Sequence, residues 1–289
     1  MRRTLLVTLD YPPMRGGVAN YYAQIVRLLP TANICVLDNH RHELLASSRM
    51  IWPKWLKGLL SVAKYIREKK IEILAVGQLL PIGTIVWICS RIFHIPYIVF
   101  THGMDVTIPL GNNGSRRKGW LAQHILRDAA IVTTSNHYLR QELLKQNLSP
   151  STVVVLTPAP VITPALLQSH DSRSFLHKQY KLHHRKIILS VGRLVRRKGF
   201  DSVLECLPEL VRLFPQLLYV MVGEGDDREY LGDLARDYGV TRNVLFVGEC
   251  DDATLAAWYD CCDIFVMVSR TLPNHDVEGF GIVYLEANS

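Results

Sequence analysis

The apolar positions of this chain come in short unbroken runs rather than in alternation with polar ones. TLLVTLD (4–10), NICVL (33–37), IEILAVG (71–77), PYIVFT (96–101), AAIVTTS (129–135) and TVVVL (152–156) are rich in β-branched residues and are separated by stretches of helical period. Such runs, spaced by helices, predict parallel strands buried on both faces. Residues 1–160 thus predict a Rossmann-like α/β domain. Pro158, Pro160 and Pro164 then interrupt the pattern and predict a linker. The pattern restarts with RKIILSVG (185–192), LLYVMVG (217–223), NVLFVG (243–248) and DIFVMVS (263–269), with helical stretches near 200–213, 228–238 and 252–260. Residues 161–289 predict a second Rossmann-like α/β domain of only four clear strands. Its last residues, Glu286 to Ser289, fall inside an amphipathic helical pattern with neither cap nor stop signal, so this domain is expected to be incomplete.

Composition agrees with two packed cores. The 289 residues are 48% hydrophobic and 20% charged, with a mean hydropathy of +0.11, which excludes wholesale disorder. The six cysteines include no C-x-x-C pair, which argues against a disulfide scaffold or a zinc ribbon and fits a reducing cytoplasm. The net charge of +7 is unevenly spread: 19 Lys and Arg face 8 Asp and Glu up to Pro160, a net +11, whereas 14 face 18 beyond it, a net −4. The first half therefore favours an anionic surface or ligand. No nucleic-acid recognition motif accompanies that charge, so nucleic acid is not an expected partner.

Two segments bear on membranes. The uncharged stretch from Ile73 to Ser90 is interrupted by Gly77, Gln78, Pro81 and Gly83, and reads as strand, turn and helix rather than as a span. Residues 52–70 place Trp52, Trp55, Leu56, Leu59, Leu60, Ala63 and Ile66 on one helical stripe, with Lys54, Lys57, Lys64 and Glu68 mostly opposite. A basic amphipathic helix with Trp suits a membrane interface, and a helix covering a sheet carries the same stripe. Ser115-Arg116-Arg117-Lys118 reads as a basic loop or as solvated surface.

Candidate chemistry sits where strands end. After the first strand, Gly16-Gly17 precedes a helical pattern, where paired glycines let a backbone approach a phosphate at a helix N-terminus; a plain turn has the same look. Gly192-Arg193-Leu194 through Lys198-Gly199 sets two cations at a strand's carboxyl end, suited to a diphosphate. Glu278 and Glu286, eight apart around Gly279-Phe280-Gly281, predict two carboxylates about two helical turns, roughly 12 Å, apart. No D-x-D occurs in the chain, so a metal–diphosphate clamp of that kind has no ligands.

Taken together and in order, Gly16-Gly17, Thr101-His102-Gly103, G-R-L-x-x-x-K-G (192–199), Gly223-Glu224-Gly225 and the E-x7-E segment (278–286) resemble glycosyltransferase family 4 along the whole chain. The resemblance implies a GT-B fold and a retaining, metal-independent transfer of a hexose from a nucleotide-diphosphate sugar to a glycan or lipid-linked acceptor. It implies no cofactor, and a cytoplasmic enzyme that meets the inner membrane face peripherally. Arg193 and Lys198 would hold the donor diphosphate and offset leaving-group charge. Glu286 would bind the ribose hydroxyls and Glu278 the donor sugar, with the Phe280 and Gly281 amides near sugar or phosphate. Gly192 and Gly223 would line the donor, Gly16 and Gly17 would face the phosphates, and His102 would orient the transferred sugar. Asn274 to Glu278 resembles mannosyltransferase members, which implies GDP-mannose, with UDP sugars the alternative. Family members continue past the E-x7-E helix, so a truncated chain is expected. A non-catalytic nucleotide-sugar or membrane-binding fragment and a GT-B sugar-nucleotide epimerase are the competing readings.

Overall fold

In the computed structural model, which describes residues 2–14, 16–45, 55–103, 106, 109, 115–159, 170–273, 278 and 280–289, each expected run contains a strand and every strand pairing is parallel. The chain divides into two compact units, Met1–Pro158 with Asn274–Phe280, and Ala159–Pro273 with Gly281–Ser289. The expected boundary at 160/161 lies outside the described residues.

The first unit runs β1 (Thr4–Val7), α1 (Gly17–Leu28), β2 (Ile34–Leu37), α2 (Leu56–Lys69), β3 (Ile73–Val76), α3 (Ile82–Phe93), β4 (Tyr97–Thr101), α4 (Arg116–Asp128), β5 (Ile131–Thr134), α5 (His137–Leu144) and β6 (Val153–Val155). Its six strands stand in the order β2-β1-β3-β4-β5-β6. The unbroken apolar runs follow from burial on both faces. Leu5 and Val7 pack with Leu74, Val76 and Val99 among α2 and α3 side chains such as Val62 and Ile85. Leu6, from the same strand, packs on the other face with Tyr21, Tyr22, Ala75 and Phe100. The direction of winding reverses between β1 and β3, and the carboxyl ends of such a pair are where open α/β sheets bind ligands.

Two expectations change. Helix α2 turns Gly58, Val62 and Ile66 inward, not the whole Leu56/Leu60/Ala63 stripe: Leu56 is 45% and Leu60 71% exposed. The reason is close packing at Gly58, where a Cβ would come within 2.6 Å of both Ile85 Cδ1 and the Leu44 carbonyl. Trp52 and Lys54 lie outside the described residues. Arg116, Arg117 and Lys118 form the first turn of α4 rather than a loop, because Ala122, Ile125 and Leu126 bury one face of that helix. Arg116 and Arg117 line a cavity of about 430 Å³ with Trp120 and Leu121.

The second unit runs α6 (His170–Gln179), β7 (Lys186–Val191), α7 (Phe200–Leu213), β8 (Leu217–Val222), α8 (Arg228–Asp237), β9 (Val244–Gly248), α9 (Asp252–Cys261), β10 (Ile264–Phe265) and α10 (Ile282–Ala287). The sheet order is β10-β7-β8-β9, so winding reverses between β7 and β10. Here too the strands split their residues between two cores: Ile187, Leu189 and Val191 meet Val220 and Trp258, while Ile188 meets Tyr219, Met221 and Leu204. Asp251 starts α9 by accepting a hydrogen bond from the Thr254 amide at 2.8 Å. The last helix begins only at Ile282, behind Gly281 at φ +76. Glu278 therefore precedes the helix, and the two glutamates are not two turns apart on one face. Among the described residues no helix is long and apolar enough to cross a membrane, and the 73–90 stretch is β3, a turn and α3.

Candidate functional site

In the second unit, three loops meet at the carboxyl ends of β7, β8 and β10. The Gly192 amide donates to the Val222 carbonyl at 2.9 Å, the Leu194 amide to the Glu224 carbonyl at 2.9 Å, and the Arg270 amide to the Arg197 carbonyl at 2.8 Å. Glycines make this packing achievable. A Cβ on Gly223, at φ +131, would lie 2.2 Å from the Gly192 carbonyl, and one on Gly199, at φ +73, 2.2 Å from the Val268 carbonyl. The Lys198 amine stands over Gly192, where a Cβ would lie 3.6 Å from Nζ. Gly192, Lys198 and Gly223 thus come together.

Two arginines of this loop differ. Arg196 is tied down: its guanidinium lies over the Tyr230 ring at 3.4 Å and pairs with Asp201 at 3.6 Å and Asp227 at 3.7 Å. The same Asp201 holds Arg270 at 2.6 Å. Arg193, at the loop's start, is exposed to solvent as Arg196 is, but no ion pair among the described residues holds it. Fixed donors and an available cation in one place suit an anionic ligand such as a diphosphate.

Glu286 lies on α10 and is only 7% exposed. The Tyr259 hydroxyl donates to its Oε2 at 3.0 Å, which fixes the carboxylate plane. Burial, and then the nearby Glu286, push the Tyr259 hydroxyl's ionisation well above its usual range, so this proton stays in the bond. Tyr284 anchors the helix start by donating to the Met267 carbonyl at 2.7 Å. Gly281 is buried, and Glu278 and Phe280 are partly buried.

In the first unit, Gly16 caps α1 at φ +145 and Gly17 is its first residue; both are exposed. His102 follows β4, and Gly77 and Gln78 follow β3, at the switch between β1 and β3 or one strand away from it. Gln78 binds this end together: its amide donates to Asp10 Oδ2 at 2.8 Å and to Thr8 Oγ1 at 3.2 Å, and its Oε1 accepts from the Leu9 amide at 3.0 Å. Buried Tyr22, on α1, sits 2.7 Å from the Gly77 carbonyl and 2.5 Å from His102 Nε2. The Tyr21 and Tyr22 rings both meet the His102 ring edge-on, at 5.5 and 5.3 Å. Burial lowers the His102 pKa to about 4, so the imidazole is neutral near pH 7.

Sequence reasoning missed Tyr22, Gln78 and Tyr259. Tyr22 follows Gly17 by five residues, within helical reach of the strand ends, whereas the pairing of Tyr259 with Glu286 carries no local signal. Among the described residues, no group of three or more His, Cys, Asp or Glu is placed to hold a metal ion.

Residues 172–289 match the family described as glycosyl transferases group 1, and residues 16–159 match the glycosyl transferase 4-like domain. The chain is 30% identical to the GDP-mannose-dependent alpha-(1-6)-phosphatidylinositol monomannoside mannosyltransferase of Mycolicibacterium smegmatis, over 99% of this chain and 78% of that protein. It is 26% identical to the GDP-mannose-dependent monoacylated alpha-(1-6)-phosphatidylinositol monomannoside mannosyltransferase of Corynebacterium glutamicum, over 100% and 78%. Among solved structures it resembles HepE of Anabaena in complex with UDP, with a TM-score of 0.76 at 17% identity over 99% of this chain and 78% of that one. It likewise resembles sucrose-phosphate synthase of Thermosynechococcus elongatus, with a TM-score of 0.75 at 18% identity over 99% and 79%.

Proposed function

The chain belongs to the group 1 glycosyl transferases, with two parallel-sheet units of the GT-B type, and from that premise we propose that it moves mannose from GDP-mannose to a lipid-linked acceptor with retention and without a metal. The observation that carries this reading is the convergence of Gly192, Arg193, Lys198 and Gly223 at the carboxyl ends of β7 and β8, beside the switch to β10. Arg193 and Lys198 bind the donor diphosphate there and stabilise the charge that develops on it. Glu286, oriented by Tyr259, receives the ribose hydroxyls. His102 orients the transferred sugar, Glu278 contacts it, and the amides at Phe280 and Gly281 and the turn at Gly16-Gly17 face sugar and phosphate.

In the transfer, the bond from the sugar's C1 to the β-phosphate oxygen breaks with both electrons going to GDP, and the acceptor hydroxyl oxygen bonds to C1 on the same face. The acceptor's proton passes to the departing phosphate oxygen. Charge balance at the leaving group then falls to Arg193 and Lys198, which fits a sequence with no D-x-D. The mannosyltransferase relatives name GDP-mannose and a phosphatidylinositol mannoside, which supports that donor and a lipid-linked acceptor over a free glycan. A lipid-linked acceptor agrees with the basic first half and with the exposed Leu56, Lys57, Leu60 and Lys64 of α2, which suit a peripheral membrane contact.

Calorimetric titration with GDP, UDP and ADP in the presence of a chelator tests the donor assignment. GDP is expected to bind at least tenfold more tightly than the others, and labelled mannose is then expected to pass from GDP-mannose to a phosphatidylinositol mannoside. A preference for UDP overturns the donor; binding without transfer to any acceptor leaves a binding-only protein.

A further inference from the structure

We infer that Tyr22 is a positioning residue for transfer, which holds His102 in a single neutral tautomer, with its proton on Nε2. This deepens, and rests on, the reading in which His102 orients the transferred sugar. Proton accounting carries the inference. The Tyr22 hydroxyl has one hydrogen and lies 2.7 Å from the Gly77 carbonyl oxygen, which can only accept. Its hydrogen goes there, and the oxygen is then an acceptor toward His102 Nε2, 2.5 Å away. A bond that short between two hydrogen-bonding atoms needs a hydrogen between them, so Nε2 carries it. In a neutral ring Nδ1 is then an acceptor, and whatever meets it must donate, as a sugar hydroxyl does.

The surroundings hold this arrangement rigidly. Tyr22 is fully buried, with Phe100 packed edge-on against it at 5.6 Å and Tyr21 tilted against it at 5.5 Å. A Cβ on Gly77 would lie 2.9 Å from the Tyr22 ring and 2.5 Å from Thr8 Oγ1, so that position keeps the carbonyl within reach of the hydroxyl. The relay thus runs from the loop after β4 through Tyr22 on α1 to the loop after β3. The buried imidazole is neutral near pH 7, so the Tyr22 contact acts on the tautomer and not on the charge.

Long-range 15N–1H correlation spectra of 15N-histidine-labelled protein read the tautomer directly, with the His102 signal identified by its loss in His102→Asn. The wild type is expected to show the Nε2–H form, and Tyr22→Phe, which keeps the ring and removes the hydroxyl, a mixture of both forms. The variant's kcat is expected to fall about tenfold with the KM for the nucleotide sugar little changed. A wild-type Nδ1–H form overturns the inference without need of any variant. An unchanged tautomer in Tyr22→Phe overturns it as well. If the tautomer changes while kcat holds, His102→Ala separates the causes. Impaired transfer there removes the role of Tyr22 alone, and unimpaired transfer removes the reading of His102 on which it rests.

Discussion

Within one loop of the second unit, two arginines are held differently. Both are exposed, but Arg196 is held by an aromatic ring and two carboxylates, and no ion pair among the described residues holds Arg193. Arg196→Ala is expected to cost about 1 kcal/mol in urea unfolding, a sum of an exposed cation–π contact and partly screened ion pairs. Arg193→Ala is expected to leave stability unchanged and lower kcat/KM by about 10²–10³, the range for losing one charge-stabilising group. Equal kinetic losses for both would show that loop order, not charge, is what Arg193 supplies. His102 gives a second residue-level expectation. Its folded pKa, about 4, lies below the ordinary 6.5, so the unfolded chain takes up the proton first as pH falls. Its contribution to stability is fully present above about pH 6.5 and declines down to about pH 4, by up to about 3 kcal/mol. The stability difference between wild type and His102→Gln should shrink over that window, and a difference independent of pH would refute the burial that lowers the pKa.

At the scale of elements, glycines are the clearest link from sequence to site. Gly223 and Gly239 both have positive φ, +131 and +68, yet a Cβ on Gly223 meets the Gly192 carbonyl at 2.2 Å whereas one on Gly239 meets nothing within 4 Å. Gly239→Ala is therefore expected to cost about 1 kcal/mol, the conformational term alone. Gly223→Ala adds a backbone collision, and is expected to cost at least about 3 kcal/mol and to weaken nucleotide binding through the Gly192 loop. The same contrast explains what was legible in the sequence. The starts and identities of the strands follow from β-branched runs, and Gly192 to Gly199 falls at a strand's carboxyl end. The seven-residue run at 263–269 yields only the two-residue β10, because the carbonyls of Val266 and Met267 are taken by Ser190 and Tyr284. The spacing of Glu278 from Glu286 suggested one helix, but α10 starts between them. Tyr22 and His102 are 80 positions apart, and Tyr259 and Glu286 27 apart; pairings of this kind depend on the sheet order and leave no local pattern.

For the molecule as a whole, the consequential feature is the uneven charge, a net +11 up to Pro160 against −4 beyond it. Such a first half draws anionic surfaces toward it over about a Debye length, but charge alone holds nothing at physiological salt. Helix α2 adds the apolar term: Leu56 and Leu60 are exposed beside Lys57 and Lys64, and the Lys64–Glu68 pair, at 4.0 Å with both side chains exposed, is too weak to withdraw that lysine. Binding to vesicles rich in phosphatidylglycerol is therefore expected to exceed binding to phosphatidylcholine vesicles and to weaken as salt rises from about 50 to about 300 mM, by the screening cited above. Each of Lys57→Gln and Lys64→Gln should lower vesicle affinity about fivefold, the worth of one lysine near an anionic surface. Leu60→Gln should lower it further at every salt concentration, because the apolar contact is not screened. GDP binding should be the same in all three variants, since all three side chains lie on α2 and none belongs to the loops after β7 and β8. Sedimentation that shows no preference for anionic vesicles would detach the membrane from the reading and leave a free glycan as the acceptor to be sought.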